Sequence, residues 1–319
     1  MTKRLILGVN GQDGILLSRL LHSQNKSFIG VGIQDKPSVH TPKTMPYYAL
    51  DIRDTAKVID LIESQDVDVV YNLAGLSSVA QSFKDPQTTL EVNYEAVNSL
   101  LVKMFDNNNN STKRFFQCSS SEMFGVAKKG LQSESTQFNP QSPYAEAKVK
   151  SHLVSRKYRE DGFFVSCGIL FNHESIFRPT AFVTRKVTSS VARIKLGLQE
   201  NLIMGNLDAT RDWGAASDYV DAINRIVEHD LADDFVIATG ISHSVRDLVT
   251  FALRTVGLED QFNALVHIDS NLLRKSEVKS TVGDASKIKR ELDWSAKTSF
   301  EELISEMVEF DLEINAPKN

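Results

Sequence analysis

Gly8-Val9-Asn10-Gly11-Gln12-Asp13-Gly14-Ile15-Leu16-Leu17 decides the fold. It ends an apolar run at 5–9 and opens a segment whose apolar residues recur at helical spacing over 15–21. Glycines at positions 8, 11 and 14 permit a tight turn, let a pyrophosphate approach the backbone, and let the helix pack closely on the strand. The start of such a helix turns its unpaired amides toward phosphate. Glycine-rich loops also serve as plain turns. Their place here, between a strand and an amphipathic helix, favours the phosphate site.

Outward from this loop, apolar and β-branched runs recur at 28–33, 68–73, 115–118 and 164–170. Segments of helical spacing, 56–62 and 94–105 among them, separate these runs. This alternation predicts an α/β chain with a parallel sheet covered by helices. The run Val67-Asp68-Val69-Val70-Tyr71-Asn72-Leu73 suits a strand buried on both faces. Beyond about residue 170 the rhythm breaks into longer irregular stretches at 172–180 and 201–217, as expected of a second lobe that supplies substrate loops. We expect residues 1–170, with about 206–232, to form the dinucleotide-binding domain, and 171–205 with 233–319 the substrate domain. The asparagine tract at 107–110 reads as a solvated turn, and the tail after Phe310 as a fraying terminus.

Composition narrows the function. A chain of 319 residues that is 41% hydrophobic and 24% charged can bury cores for two lobes. Net charge is −5 with Lys and Arg scattered, so no basic face for nucleic acid is expected. Cys118 and Cys167 read as buried free thiols of a reducing compartment, and neither a disulfide nor a metal site is expected. Asn10, Gln12 and Asp13 interrupt the first apolar run before it can serve as a signal peptide. No apolar run reaches the roughly 20 residues that span a bilayer. A cytoplasmic protein without membrane contact is the expectation.

The second strand ends at Ile33-Gln34-Asp35-Lys36, where the residue contacting an adenosine ribose belongs. A carboxylate there accepts hydrogen bonds from a free 2′-hydroxyl and repels a 2′-phosphate, so Asp35 favours NAD and leaves NADP open. Alternatively, Asp35 only begins the turn into Lys36-Pro37. Further cofactor contacts are expected from Asp51 and Ile52 after a third strand, and from Leu73, Ala74 and Gly75 after a fourth.

Tyr144-Ala145-Glu146-Ala147-Lys148 sets a phenol and an ammonium on one helix face. The cation should lower the phenol's pKa and make it a usable base for a sugar hydroxyl. Upstream, Phe116-Gln117-Cys118-Ser119-Ser120-Ser121-Glu122 brings hydroxyls and a carboxylate to the carboxyl edge of the sheet, where ligands of open α/β folds bind.

Together with these motifs, several others resemble the GDP-mannose 4,6-dehydratases over nearly the whole chain. They are Gly168-Ile169-Leu170-Phe171-Asn172-His173-Glu174-Ser175, Phe182-Val183-Thr184-Arg185-Lys186, and Gly205-Asn206-Leu207-Asp208-Ala209-Thr210-Arg211-Asp212-Trp213-Gly214. Asp234-Phe235-Val236-Ile237-Ala238-Thr239-Gly240 and Ser242-His243-Ser244-Val245-Arg246 complete the set. The resemblance implies a Rossmann-type doubly wound parallel sheet with a smaller α/β lobe. It implies a hydro-lyase that moves hydride internally from C4 to C6 of a GDP-sugar with loss of water. Ser120, Glu122, Tyr144 and Lys148 would be catalytic. Gly8, Gly11, Gln12, Asp13, Gly14, His173 and Arg178 would meet the cofactor, although His173 also reads as a locally satisfied loop histidine. Ser78, Asn172, Glu174, Thr184, Arg185, Lys186, Gly205 and Arg211 would meet substrate, the cations facing its diphosphate. Arg211 could equally form a salt bridge with Asp212.

The chain departs from the family at three places. An arginine pair and a long loop after the second strand are replaced by Gln34-Asp35 and a short connection to Tyr47; Ser78-Val79-Ala80 replaces His-Val-Lys; Ile176-Phe177-Arg178-Pro179 replaces Pro-Arg-Arg-Gly. These changes point to NAD, and they leave room for a GDP-hexose other than mannose or a GDP-manno-heptose. They also point to a homodimer in place of the family's tetramer. Helices at 94–105 and 144–158 would form its interface through Val97, Leu100, Leu101, Met104, Ala147, His152, Leu153 and Val154. Burial of those residues within the subunit is the alternative. Rival functions are a related GDP-sugar epimerase, a 4-keto reductase, and a non-catalytic NAD-binding protein.

Overall fold

The computed structural model describes residues 2–105, 112–125, 130–272 and 280–317, so the asparagine tract lies outside the described residues. In chain order the first strands are β1 (Lys3–Leu7), β2 (Ser27–Gly32), β3 (Tyr47–Ala49), β4 (Val69–Asn72), β5 (Arg114–Ser120) and β6 (Phe164–Leu170). Then come β7 (Asn172–Glu174), β8 (Leu202–Met204), β9 (Thr210–Ala215), β10 (Asp234–Ile237), β11 (Ser242–Ser244), β12 (Val266–Ile268) and β13 (Ser280–Thr281). The helices that bear on the site are α1 (Gln12–Ser23), α2 (Thr55–Ser64), α3 (Val79–Lys84), α4 (Pro86–Leu90), α5 (Ala96–Phe105) and α6 (Pro143–Glu160). They continue with α7 (Val183–Lys195), α8 (Ala216–Glu228), α9 (Val245–Thr255) and a C-terminal helix, Phe300–Asn315.

Seven parallel strands make the central sheet in the order β10-β6-β5-β4-β1-β2-β3. Alternation along β1 explains its two covers. Ile6 points into a core with Leu17 and Leu21 of α1 and Ile223 of α8, whereas Leu5 and Leu7 join Val58 of α2 and Leu100 of α5 on the other face. Each of these three strand residues is fully buried, worth about 1.5–3 kcal/mol apiece. From β1 the chain winds outward to β2 and β3, then returns to β4 on the other side. That reversal opens a crevice at the carboxyl ends of the strands.

The second lobe pairs β9 with β7, β11 and β13, and β8 with β12. Helices α7 and α9 and the C-terminal helix share its core, where Trp213 stacks on Phe300 with ring centroids 5.4 Å apart. The two lobes interleave more finely than the sequence suggests. β10, expected in the substrate lobe, forms the edge of the central sheet, and β9, expected in the first lobe, is the centre of the second lobe's sheet. Both strands read simply as strands in sequence; only pairing assigns them. Beyond Phe310, where a fraying terminus is expected, the C-terminal helix runs on to Asn315 with Asp311 fully buried.

Expectation and structure differ for the presumed interface helices as well. Val97, Leu100, Leu101, Met104, Ala147 and His152 are buried inside the subunit. Of the large apolar residues on these helices, Val102 and Leu153 are exposed, at 38% and 47%. Among the described residues no helix is long and apolar enough to cross a membrane.

Candidate active site

The three loop glycines differ in what a side chain would meet at each. Gly8 takes φ +83°, and a Cβ there would sit 2.7 Å from the Ala74 amide nitrogen. One on Gly14 would sit 2.4 Å from the Gly8 carbonyl, so helix and loop can approach only with glycine. One on Gly11 would meet only the Gly8 carbonyl, at 3.3 Å, and would otherwise fill open space. No side chain caps α1 at Gly11, which leaves its first amides to a ligand. This cradle fits a pyrophosphate, and Leu73, Ala74 and Gly75 continue it along the end of β4.

Gln12 and Asp13 hold the crevice together from the first turn of α1. The Gln12 amide donates to the His173 carbonyl (3.1 Å), and its Oε1 accepts from the Ser175 hydroxyl (2.9 Å). His173 faces an acceptor at each ring nitrogen, the Phe171 carbonyl at 2.7 Å and Asp13 at 3.0 Å, an arrangement that suits the imidazolium. Burial works against both charges, yet their attraction prevails. Asp13 is held below the usual carboxylate range, and His173 is raised above its ordinary value. Tyr219 stacks behind the imidazole at 4.8 Å. Arg178 lies 3.3 Å from Glu174 and over the Phe182 ring at 3.8 Å.

The chemical groups meet where β5 ends. Ser120 caps a short 3-10 turn, Ser121–Phe124, by accepting from the Glu122 amide (3.2 Å), which leaves Glu122 half-buried beside it. Ser142 caps α6 and Pro143 starts it, so Tyr144 enters in the first turn, near enough to Ser120 for that hydroxyl to favour the phenolate. One turn on, Lys148 donates to the Cys118 carbonyl at 2.8 Å with its ammonium 5.9 Å from the Tyr144 ring centroid. The expected lowering of the Tyr144 pKa does not appear in the free protein. Burial pushes the phenol up, and Lys148 and Ser120 draw it down without overcoming that.

Sequence reading missed two residues here. Asn93 lies in a π-helical turn, Glu91–Glu95, a distortion common at functional sites. Its amide pairs with both backbone groups of Leu76 (2.8 and 2.9 Å). A Cβ on Gly75 would lie 3.0 Å from Asn93 Oδ1 and 3.6 Å from the Lys148 ammonium. Asn93 therefore shapes the wall behind Lys148; nothing in the sequence separates it from Asn98 five residues on. His152 continues the Tyr144–Lys148 stripe and meets the Ser119 hydroxyl at 2.9 Å. His152, Cys167 and Asp234 cluster within 4.8 Å, but Arg156 (2.6 Å) and Arg159 (2.8 Å) already neutralise Asp234. Burial raises the Cys167 thiol and lifts that of Cys118 to about 11.

The expected substrate residues divide. Thr184 donates to Glu174 at 2.6 Å, both buried. Arg185 is committed to Asp311 (2.8 Å) inside the second lobe, which is not the diphosphate contact expected of it. Lys186 donates to the Ile203 carbonyl and Arg211 to that of Thr210, both from partly exposed positions. Asp212 accepts from the amides of Thr239, Gly240 and Gly283 and so ties three segments behind Arg211. Ser78 caps α3, Asn172 pairs with Trp213 in the β7–β9 ladder, and Gly205 lies against Leu272. Asp51 forms a bidentate pair with Arg53, and Ile52 is buried in the core. Asp35 is exposed at the end of β2.

The profile of the family described as GDP-mannose 4,6 dehydratase matches residues 5–307. A GDP-mannose 4,6-dehydratase of Yersinia enterocolitica is 35% identical, covering 98% of this chain and 94% of its own. GDP-mannose 4,6 dehydratase 1 of Arabidopsis thaliana is 38% identical over 97% of this chain and 90% of its own. Among solved structures, a dTDP-glucose 4,6-dehydratase of Streptomyces venezuelae with NAD bound superposes with a TM-score of 0.86 at 22% identity, covering 98% of this chain and 97% of that one. With the glycine cradle, the Ser120–Tyr144–Lys148 centre and Glu122 in one crevice, and with matches of this extent, the chain belongs to the GDP-mannose 4,6-dehydratase family.

Proposed function

We propose that the protein is a hydro-lyase that converts GDP-mannose, or a close GDP-linked sugar, to the 4-keto-6-deoxy product. The observation that carries this reading is the placement of Glu122 on the turn that Ser120 caps, in the same crevice as Tyr144 and Lys148. Oxidation at C4 needs Tyr144, Ser120 and Lys148; elimination across C5 and C6 needs a carboxylate as well. Tyr144 takes the C4 hydroxyl proton while Ser120 holds that oxygen. Glu122 removes the C5 proton and, with Ser121, protonates the departing C6 hydroxyl, and the proton that C5 regains as hydride returns to C6 balances the one Tyr144 took from C4. A bound nicotinamide would supply, when oxidised, the acceptor for the C4 hydride and a positive charge that adds to the pull of Lys148 on the phenol, and, once reduced, the donor for C6.

The cofactor we assign is NAD, on the exposed carboxylate of Asp35 and the missing arginine pair. Lys186 and Arg211 are the cations assigned to the diphosphate. We further propose a cytoplasmic homodimer. The connection at 36–46 folds on its own chain, with Arg19 donating to the His40 carbonyl (2.6 Å) and the His40 ring on Phe177 (5.0 Å). It is thus spent within the subunit, while α5 and α6 keep Val102 and Leu153 exposed for a partner copy.

Incubation with GDP-mannose and mass analysis tests the reaction. Loss of one water from the sugar supports dehydration. An unchanged mass with an inverted centre indicates an epimerase, consumption of reduced cofactor when the 4-keto-6-deoxy GDP-sugar is supplied instead indicates a reductase, and no change with either sugar indicates a silent binder.

A further inference from the structure

Three polar groups converge over the carboxyl end of β2. A Cβ on Gly32 would lie 2.9 Å from the Tyr47 hydroxyl, 3.1 Å from Asn10 Nδ2 and 3.3 Å from Gln34 Oε1. Asn10, from the glycine loop, is the hub. Its amide donates to Gln34 Oε1 (2.8 Å), to the Lys36 carbonyl (3.2 Å) and to the Tyr47 oxygen (3.3 Å), and its Oδ1 accepts from the Ser38 amide (2.8 Å). The Tyr47 hydroxyl donates in turn to the Gln34 carbonyl, and the Thr41 hydroxyl to that of Ser38 (2.7 Å). One side chain thereby holds three alternate positions of the turn at 34–38.

This turn is where the adenosine ribose of a dinucleotide lies in a doubly wound fold. A free 2′-hydroxyl asks for one acceptor, which Asp35 offers. A 2′-phosphate asks for space for three oxygens and for compensating cations, and residues 33–38 carry only Lys36 against Asp35. Asp35 is exposed, so solvent screens its repulsion to a preference of about tenfold or less. Widening the turn, by contrast, means parting the hydrogen bonds gathered on Asn10.

We propose that Asn10 is the residue that determines cofactor choice, holding the turn closed against a 2′-phosphate, with Asp35 in a lesser part. The proposal rests on the NAD reading above. Nucleotide released from denatured wild-type protein is first identified by mass, since NADP there would overturn that reading and this one together. Protein stripped of nucleotide is then titrated with NADH and NADPH, following nicotinamide fluorescence. Asp35→Ser should narrow the preference for NADH by about tenfold or less. Asn10→Ala should strengthen NADPH relative to NADH by roughly tenfold or more, in the wild-type and the Asp35→Ser background alike. Tyr47→Phe keeps the ring and removes the hydroxyl, so it should shift the ratio the same way by a smaller step even if Asn10→Ala fails to fold. With NAD found in the wild type, two outcomes overturn the proposal alone: equal affinities in Asp35→Ser by itself, or an unchanged NADH to NADPH ratio in the Asn10 and Tyr47 variants.

Discussion

Replacing Asp311 by alanine should cost about 3–5 kcal/mol of stability, because it strands a buried guanidinium. Asp311 is fully buried, accepting from Arg185 Nη2 at 2.8 Å and from the Thr188 hydroxyl at 2.7 Å. Arg185 is 4% exposed, and its Nε and Nη1 meet no other acceptor among the described residues. The intact pair is itself only weakly stabilising. Burial lifts the Asp311 carboxyl above its ordinary range against the pull of Thr188 and Arg185, so folding favours its protonated form and that contribution is lost as pH rises through the folded value. Arg185→Met combined with Asp311→Leu should therefore lie within about 2 kcal/mol of wild type, although Asp311→Ala alone does not. Urea unfolding followed by tryptophan emission reports on this lobe through Trp213. The same variants decide what Arg185 does, since a guanidinium pairing with Asp311 should leave KM for GDP-mannose unchanged in Arg185→Met. The reasoning fails if Asp311→Ala stays within about 1 kcal/mol of wild type, or if Arg185→Met raises KM about tenfold without moving the unfolding midpoint.

Glu122→Gln should lower dehydration by about 10²-fold or more while leaving the melting temperature near wild type, and near-normal turnover would remove Glu122 from the acid-base role. For the His173–Asp13 pair, the histidine's contribution is complete below its unfolded value of 6.5 and fades as pH rises through its raised folded value. The aspartate's is complete above 3.8 and fades as pH falls through its lowered folded value, so the pair stabilises most between these limits. A melting profile of His173→Gln should lack the extra stability of that window; a profile parallel to wild type contradicts the pairing. Gly14→Ala should prevent stable folding, because its Cβ meets backbone at 2.4 Å, whereas Gly11→Ala should fold and bind NADH more weakly. Equal NADH affinity in folded Gly11→Ala would move the pyrophosphate elsewhere. Light scattering on eluting protein should give the mass of two 35.6 kDa chains, and Leu153→Glu should shift it toward one; a tetramer or an unshifted variant refutes the helix-pair interface.

Local chemistry made much of this legible in the sequence. A glycine spacing of three, a serine run at a strand end and a tyrosine four residues before a lysine impose turn, edge and helix face within a few residues. The cradle and the Ser120–Tyr144–Lys148 centre follow from them with little help from the rest of the chain. Tertiary structure alone decided matters that depend on residues far apart. Arg185 and Lys186 are adjacent and equally cationic, but Asp311, brought in by the C-terminal helix, takes Arg185 into the interior and leaves Lys186 at the surface. Burial, which no spacing reveals, reverses the expected direction of the Tyr144 shift and turns Val97 and Leu100 inward from a presumed interface. The lobe boundary likewise needed strand pairing, because β9 and β10 carry the same kind of pattern and only hydrogen bonds to β7 and β6 assign them to different sheets. Sequence determines the groups that act over a turn of helix or the end of a strand; charge partners and buried faces belong to the fold, because their energies depend on what distant segments bring beside them.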